Sequence, residues 1–174
     1  TLQYATIVSP TVGAGPAISI TRGAATIVNS IVASYTTGIA ASPGATVNSD
    51  YNLFFAAPTS IAIGGNSLTG VDPRFIDAAA GDYRLAAGSP AINAAQDLGV
   101  TTDLDGALRP QGGGFDIGSY EVNHTWYVDP AGNNTNTCVA AGAANACLTI
   151  AGAMGKASAG DTIYIAAGTY PENV

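Results

Sequence analysis

Positive charge is what this chain has least of. Lys and Arg together number five in 174 residues (Arg22, Arg74, Arg84, Arg109 and Lys156), against twelve Asp and Glu, for a net charge of −7. Nucleic acids and anionic membrane surfaces draw most of their protein affinity from clustered Lys and Arg, so neither is an expected partner. No apolar run approaches the roughly 18 residues that span a bilayer, so membrane insertion is not expected either. Charged residues of both signs make up 10% of the chain, well under the roughly 25% of an ordinary soluble domain. His, Met and Trp occur once each and Cys twice. A metal centre at the cysteines would lack further ligands, and a helical bundle would need more Leu, Glu and Lys.

What is abundant is Ala, Val and Ile, punctuated by Gly, Asn, Ser and Pro. β-Branched residues between turn formers suit short strands and tight corners, so the expected class is all-β. Cys138 and Cys147 lie in a Gly/Ala/Asn-rich stretch without nearby His. A disulfide between them is the favoured reading, with two inert reduced thiols as the alternative. Asn123-His124-Thr125 and Asn133-Asn134-Thr135 are formal glycosylation sequons. These features favour an oxidising, extracellular location. The chain starts at Thr1 with neither Met nor signal peptide, which suggests processing or excision from something longer.

The first third repeats itself. Ala25-Thr26-Ile27-Val28 leads to Asn29-Ser30, and Ala45-Thr46-Val47 leads to Asn48-Ser49-Asp50-Tyr51, a step of about twenty residues in the range of solenoid coils. Within each coil, short alternating apolar stretches are separated by corner residues. Two registers remain open for the start of the chain. Thr1-Leu2 aligns on Thr26-Ile27 if a loop around Gly13 to Pro16 lengthens the first coil, whereas Thr6-Ile7 aligns there if the step stays at twenty. The second register would place Thr6, Thr26 and Thr46 in a row, the basis of a minor ice-binding reading. Against it, Thr is simply a good strand residue on a solvated face.

Residues 72–121 change character, with Asp72-Pro73-Arg74-Phe75, Gly81-Asp82-Tyr83-Arg84-Leu85, Gly88-Ser89-Pro90, Asp103-Leu104-Asp105-Gly106, Arg109-Pro110 and Asp116-Ile117-Gly118-Ser119-Tyr120-Glu121 in order. Together these resemble the C-terminal block of bacterial surface-exported right-handed parallel β-helix proteins, the pectin-lyase-like group. Asn48 to Phe54 looks like the last regular coil of that group. After a short link, 122–125, the stretch 126–174 resembles the N-terminal cap and first coil of the same group, from Trp126-Tyr127-Val128-Asp129-Pro130 through the cysteines to Gly160-Asp161-Thr162-Ile163-Tyr164-Ile165. The resemblance implies a β-solenoid of coils (1–71) and C-terminal block (72–121), followed by a cap-like segment (126–174) that begins the next unit. The residues themselves predict a short α-helix, capped by Thr149 and carrying Ile150, Ala153, Met154 and Ala157 on one face, and the resemblance implies that this helix plugs the open end of the solenoid. The Cys138–Cys147 bridge should lock the cap loop beside Trp126.

An ending that precedes a beginning is the order of a circularly permuted unit. A solenoid interrupted in mid-coil exposes unpaired backbone groups that recruit another strand, and a head-to-tail contact that does not close generates a filament. The expected function is therefore an extracellular structural protein whose partners are copies of itself. Ile163, Ile165 and Val174 of one copy should stack on Leu2, Tyr4 and Ile7 of the next. A single phase of a tandem repeat and an arbitrary fragment are the competing origins of that order. A cell-surface adhesin that stacks surface glycans on Tyr35, Tyr51, Phe54 and Phe55 is the alternative. Lyase or hydrolase chemistry is disfavoured, because the coils from Thr1 to Leu68 hold only Arg22 and Asp50 as charges. No cofactor is expected. Asp103 and Asp105 hold a fragment of a Ca²⁺-loop pattern, but a Gly-terminated turn is the plainer reading. Arg84 and Arg109 should pair with nearby Asp and close the solenoid end, while His124 stands alone in the link.

Overall fold

The structure is a computed structural model that describes residues 1–157 and 161–172. Strands dominate, with one short α-helix, and the chain is all-β in class. It forms two compact units, Thr1–Pro110 with Gly114–Val122 and Gln111–Gly113 with Asn123–Val174. The sequence segments 1–71 and 72–121 therefore fold largely together.

In the first unit, β1 (Leu2–Gln3), β3 (Ala24–Val28) and β5 (Thr46–Asp50) make one parallel sheet. A second parallel sheet contains β2 (Thr6–Ile20), β4 (Ile31–Ala41), β6 (Leu53–Phe55) and β7 (Leu68–Thr69). Successive strands from β1 to β6 alternate between the two. Leu2 pairs with Ile27 and Ile27 with Ser49, while Thr6 pairs with Ile31 and Ile31 with Leu53. The first strand-to-strand step is thus the longer one, as in the first of the two registers. Its extra residues enter as register shifts between Val8 and Pro16 of the continuous strand β2, not as a loop. The Thr row does not form. Thr6 pairs with Ile31, Thr26 with Asn48, and Thr46 with Ala24.

The corners between the sheets are left-handed. Tyr4, Asn29 and Tyr51 follow β1, β3 and β5 at φ of 50°, 53° and 54°, a conformation that Asn tolerates and Tyr adopts only under tertiary constraint. Fully buried Asn52 braces its corner. Its Oδ1 accepts from Ser30 N–H at 2.9 Å, and its Nδ2 donates to Ile27 C=O at 2.8 Å and Ser49 Oγ at 3.1 Å.

Alternation sends the four-stranded sheet's side chains to two cores. Val32, Ile39 and Phe54 pack with Ile27, Leu2 and Val47 between the sheets. Ile31, Ala33 and Leu53 face the other way, onto Leu85, Ala91 and Ile117 of the later block. A sheet covered on both faces loses its polar alternation, which explains the runs Ile31-Val32-Ala33 and Leu53-Phe54-Phe55. The covering block carries the antiparallel pair β8 (Phe75–Asp77) and β9 (Asp82–Leu85), joined through a 3₁₀ turn. Gly118 sits where the block meets the sheet. At φ 104° a Cβ there would lie 2.8 Å from both Ile31 Cδ1 and Thr6 Oγ1.

The second unit holds the parallel pair β10 (Thr125–Val128) and β11 (Thr162–Ile165) and the helix α1 (Ile150–Met154). Strand β10 thus begins inside the stretch read as a link. Thr149 caps α1, its side chain accepting from Gly152 N–H. The Glu172 carboxylate accepts from Ile150 and Ala151 N–H, at 2.7 and 2.9 Å. Val128, Cys138, Cys147 and Ala153 form the core, with Trp126, Ile150, Ile163 and Tyr170 packed against it. Met154 is 54% exposed, so the packing face of α1 is Ile150 and Ala153, without the Met154 that helical spacing suggests. Cys138 and Cys147 are disulfide-bonded, with Cα atoms 5.1 Å apart.

Candidate functional site

The distinctive feature is a set of parallel strand edges without a partner among the described residues. β1 and β2 each stand first in their sheets. In a parallel ladder, alternate residues direct their N–H and C=O to opposite sides. Tyr4 N–H donates to Val28 C=O, and Ala5 C=O accepts from Ile31 N–H. Gln3, Thr6 and Val8 therefore turn their backbone groups to the open side. On β11, Thr162 N–H donates to His124 C=O and Ala166 N–H to Val128 C=O, which leaves the backbone groups of Ile163 and Ile165 facing outward. The strand carries no charge, and Tyr164 and Ile165 are 58% and 45% exposed.

A buried charge cluster holds the corner between β1 and β2. Tyr4 is buried, its hydroxyl donates to Gln96 C=O at 2.7 Å, and the Arg109 guanidinium lies 4.4 Å from its ring centroid. Arg109 Nη1 contacts Glu121 Oε2 at 2.6 Å, with both side chains shielded from solvent. Its Nη1 and Nη2 also donate to Asp116 C=O and Gly118 C=O, at 3.1 and 2.7 Å. Asp116 accepts from Asn93 and Val122 N–H, both at 2.8 Å. Burial nevertheless pushes its carboxyl up to about 6, against the opposing pull of those two N–H groups and of Arg109.

The residues singled out by sequence fall into place unevenly. Leu2 packs into the inter-sheet core, and Ile7 pairs with Val32. Tyr4 is committed to its own unit. Ile163 and Ile165 pair with Trp126 and Val128, and Val174 lies outside the described residues. Arg84 meets Asp82 at 2.6 Å on the surface, whereas the partner of Arg109 is Glu121 and not an Asp. Asp103 closes a turn by accepting from Asp105 and Ala107 N–H, and its other oxygen accepts from Glu121 N–H. No group of three or more His, Cys, Asp or Glu among the described residues is arranged to hold a metal ion. Asn123 and Asn133 are both exposed.

Phe54 is buried between the sheets, and Phe55 packs toward the opposite core. The four aromatic residues therefore do not share one surface. His124 is not isolated, since its ring stacks on Trp126 at 5.8 Å and its N–H donates to Asp161 Oδ1 at 3.0 Å. Sequence reading missed the cluster of Glu121, Asp116 and Tyr4. It also missed that Gln3, Thr6 and Val8 carry the open backbone groups; strand alternation counted from the correct register would have found these. No helix among the described residues is long and apolar enough to cross a membrane. No protein-family model matches the chain, and neither a curated protein nor a solved structure matches it.

Proposed function

We propose that this chain is an extracellular structural protein, a right-handed parallel β-helix whose copies join end to end into a filament or sheath. The observation that carries the reading is the complementarity of its open edges. In the first unit, later strands stack on earlier ones in one sequence direction, and β1 and β2 stand first in their sheets among the described residues. In the second unit, β11 follows β10 with nothing after it among the described residues. A row of unpaired N–H and C=O groups on an uncharged strand is a template for another chain. The contact it favours is the later side of one copy against the earlier side of the next, which does not close on itself and so propagates. The alternation of β1 to β6 between two parallel sheets, in steps of one coil, supports the β-helix. The Cys138–Cys147 bridge fits an oxidising compartment.

The test is Ile165→Pro. Proline lacks the N–H that points to the open edge but leaves the β10-facing bonds of Thr162 and Ala166 in place. Under conditions where the native chain forms fibres by light scattering and electron microscopy, the variant should stay dispersed. Fibres formed equally by the variant, or a native chain that remains monomeric throughout, would remove this reading.

A further inference from the structure

We infer that the second unit is a one-sided template: β11 receives a strand from a second copy of this chain, and the segment pinned by the Cys138–Cys147 disulfide bars the opposite edge of the sheet. This rests on the end-to-end reading and adds that the disulfide-pinned edge of the second unit is closed to the joint.

The barred edge is visible bond by bond. Tyr127 N–H donates to Cys138 C=O at 2.8 Å, Tyr127 C=O accepts from Cys147 N–H at 2.9 Å, and Asp129 N–H donates to Cys147 C=O at 2.9 Å. Val128 and Cys147 form a parallel bridge. The backbone groups that β10 turns away from β11 are thus occupied by two short pieces of chain. Neither piece is a regular strand, and the disulfide ties them to each other through two fully buried sulfur-bearing side chains. Asn136 reinforces the closure by donating to Ala146 C=O at 2.8 Å. Among the described residues nothing comparable covers β11, whose outward groups belong to Ile163 and Ile165.

The occupant that fits is a second copy, because the chain carries the matching edge itself. Gln3, Thr6 and Val8 offer outward groups from the earlier side of parallel sheets, whereas β11 offers groups from a later side. Pairing β11 with β1 or the start of β2 continues a parallel ladder. Pairing two β11 edges instead gives a closed two-fold dimer that cannot propagate.

The experiment places the photoreactive residue p-benzoylphenylalanine at Tyr164 or, separately, at Val139, which is 52% exposed beside the pinned Cys138. Full-length chains, half of them ¹⁵N-labelled, are mixed, irradiated and mapped by mass spectrometry, so that mixed-isotope products report contacts between copies. Trp126 fluorescence checks the fold of each variant, and exposed Thr162 replaces Tyr164 if that variant misfolds. Tyr164→p-benzoylphenylalanine should join residues 1–9 of a second copy, and Val139→p-benzoylphenylalanine should yield products within one copy only. Fibres accompanied by β11-to-β11 products, or by products between copies from Val139 in comparable yield, overturn the one-sided template and leave end-to-end assembly standing. Absence of both fibres and products between copies overturns the two together.

Discussion

The guanidinium carbon of Arg109 lies 4.4 Å from the centroid of the Tyr4 ring, so the corner between the first two strands is held by a residue near the end of the same unit. The edge proposed to join β11 of a neighbour is thereby fixed before any neighbour arrives, which lowers the ordering cost of association. The same Arg109 is neutralised by Glu121 at 2.6 Å, away from solvent. Removing one member of such a pair leaves the other charge buried and uncompensated, at a cost of about 3–5 kcal/mol. Glu121→Ala should therefore destabilise the first unit by that amount in urea unfolding. The Arg109→Met/Glu121→Leu double variant, which removes both charges, should cost less than the single one. A double variant as unstable as Glu121→Ala would show that the carbonyl contacts of Arg109, not its charge pairing, carry the effect.

Asp116 makes the stability of that unit depend on pH in an unusual direction. Its folded carboxyl is pushed up to about 6 by burial, while the unfolded carboxyl titrates near 4. Between these values the folded state binds more protons than the unfolded one, so this contribution grows as pH falls and is lost as pH rises through about 6. From pH 7 to pH 5 the first unit should gain roughly 1.3 kcal/mol from this group. Hydrogen exchange at the Ile31 and Leu53 amides, at both pH values and corrected for intrinsic rates, measures the gain. The gain should vanish in Asp116→Asn, and its persistence there would assign it to another group.

The fully buried Asn52 is a sharper test of the corner. It satisfies the Ser30 N–H and the Ile27 C=O and also meets Ser49 Oγ. Stranding one buried polar group costs about 1–3 kcal/mol. Asn52→Ala should therefore lower the stability of the first unit by about 2–4 kcal/mol, since relaxation and shared solvation keep the costs from adding fully. Urea unfolding followed by far-ultraviolet circular dichroism reads the change, and a loss under 1 kcal/mol would mean that the corner is held elsewhere.

How much of this was legible depended on which physical signal each feature leaves in the chain. Short apolar stretches between Gly, Asn and Ser mark strands and corners, and the all-β class follows from them. The register does not. Matching Ala25-Thr26 to Ala45-Thr46 suggests a step of twenty residues, yet Asn29 and Tyr51 occupy equivalent corners and Ile27 pairs with Ser49. Twenty and the observed step differ by two, and a slip of two preserves the alternation of every side chain, so periodicity cannot detect it. The Tyr51-Asn52 corner was hidden for a second reason, since Tyr is a poor advertisement for a left-handed turn. Burial of both faces of β4 and β6 was written in their unbroken apolar runs. By contrast, the Arg109–Glu121 pair depends on the block folding back over the sheet, which no local pattern encodes.

The disulfide can be weighed on its own because Trp126, the single tryptophan, packs against the Cys138–Cys147 core. The bridge closes a loop with a sequence separation of nine, which the chain-entropy model values at about 2.5 kcal/mol. The Cys138→Ala/Cys147→Ala variant should unfold at correspondingly lower urea by Trp126 fluorescence. The loss should be larger than the loop term alone, because both sulfurs are fully buried and their removal leaves a small cavity. In the same variant the Tyr127 and Asp129 amides, which donate to Cys138 and Cys147, should lose exchange protection before the Thr162 and Ala166 amides that join β11 to β10. Equal loss at all four would mean that the bridge supports the whole sheet and not one edge of it.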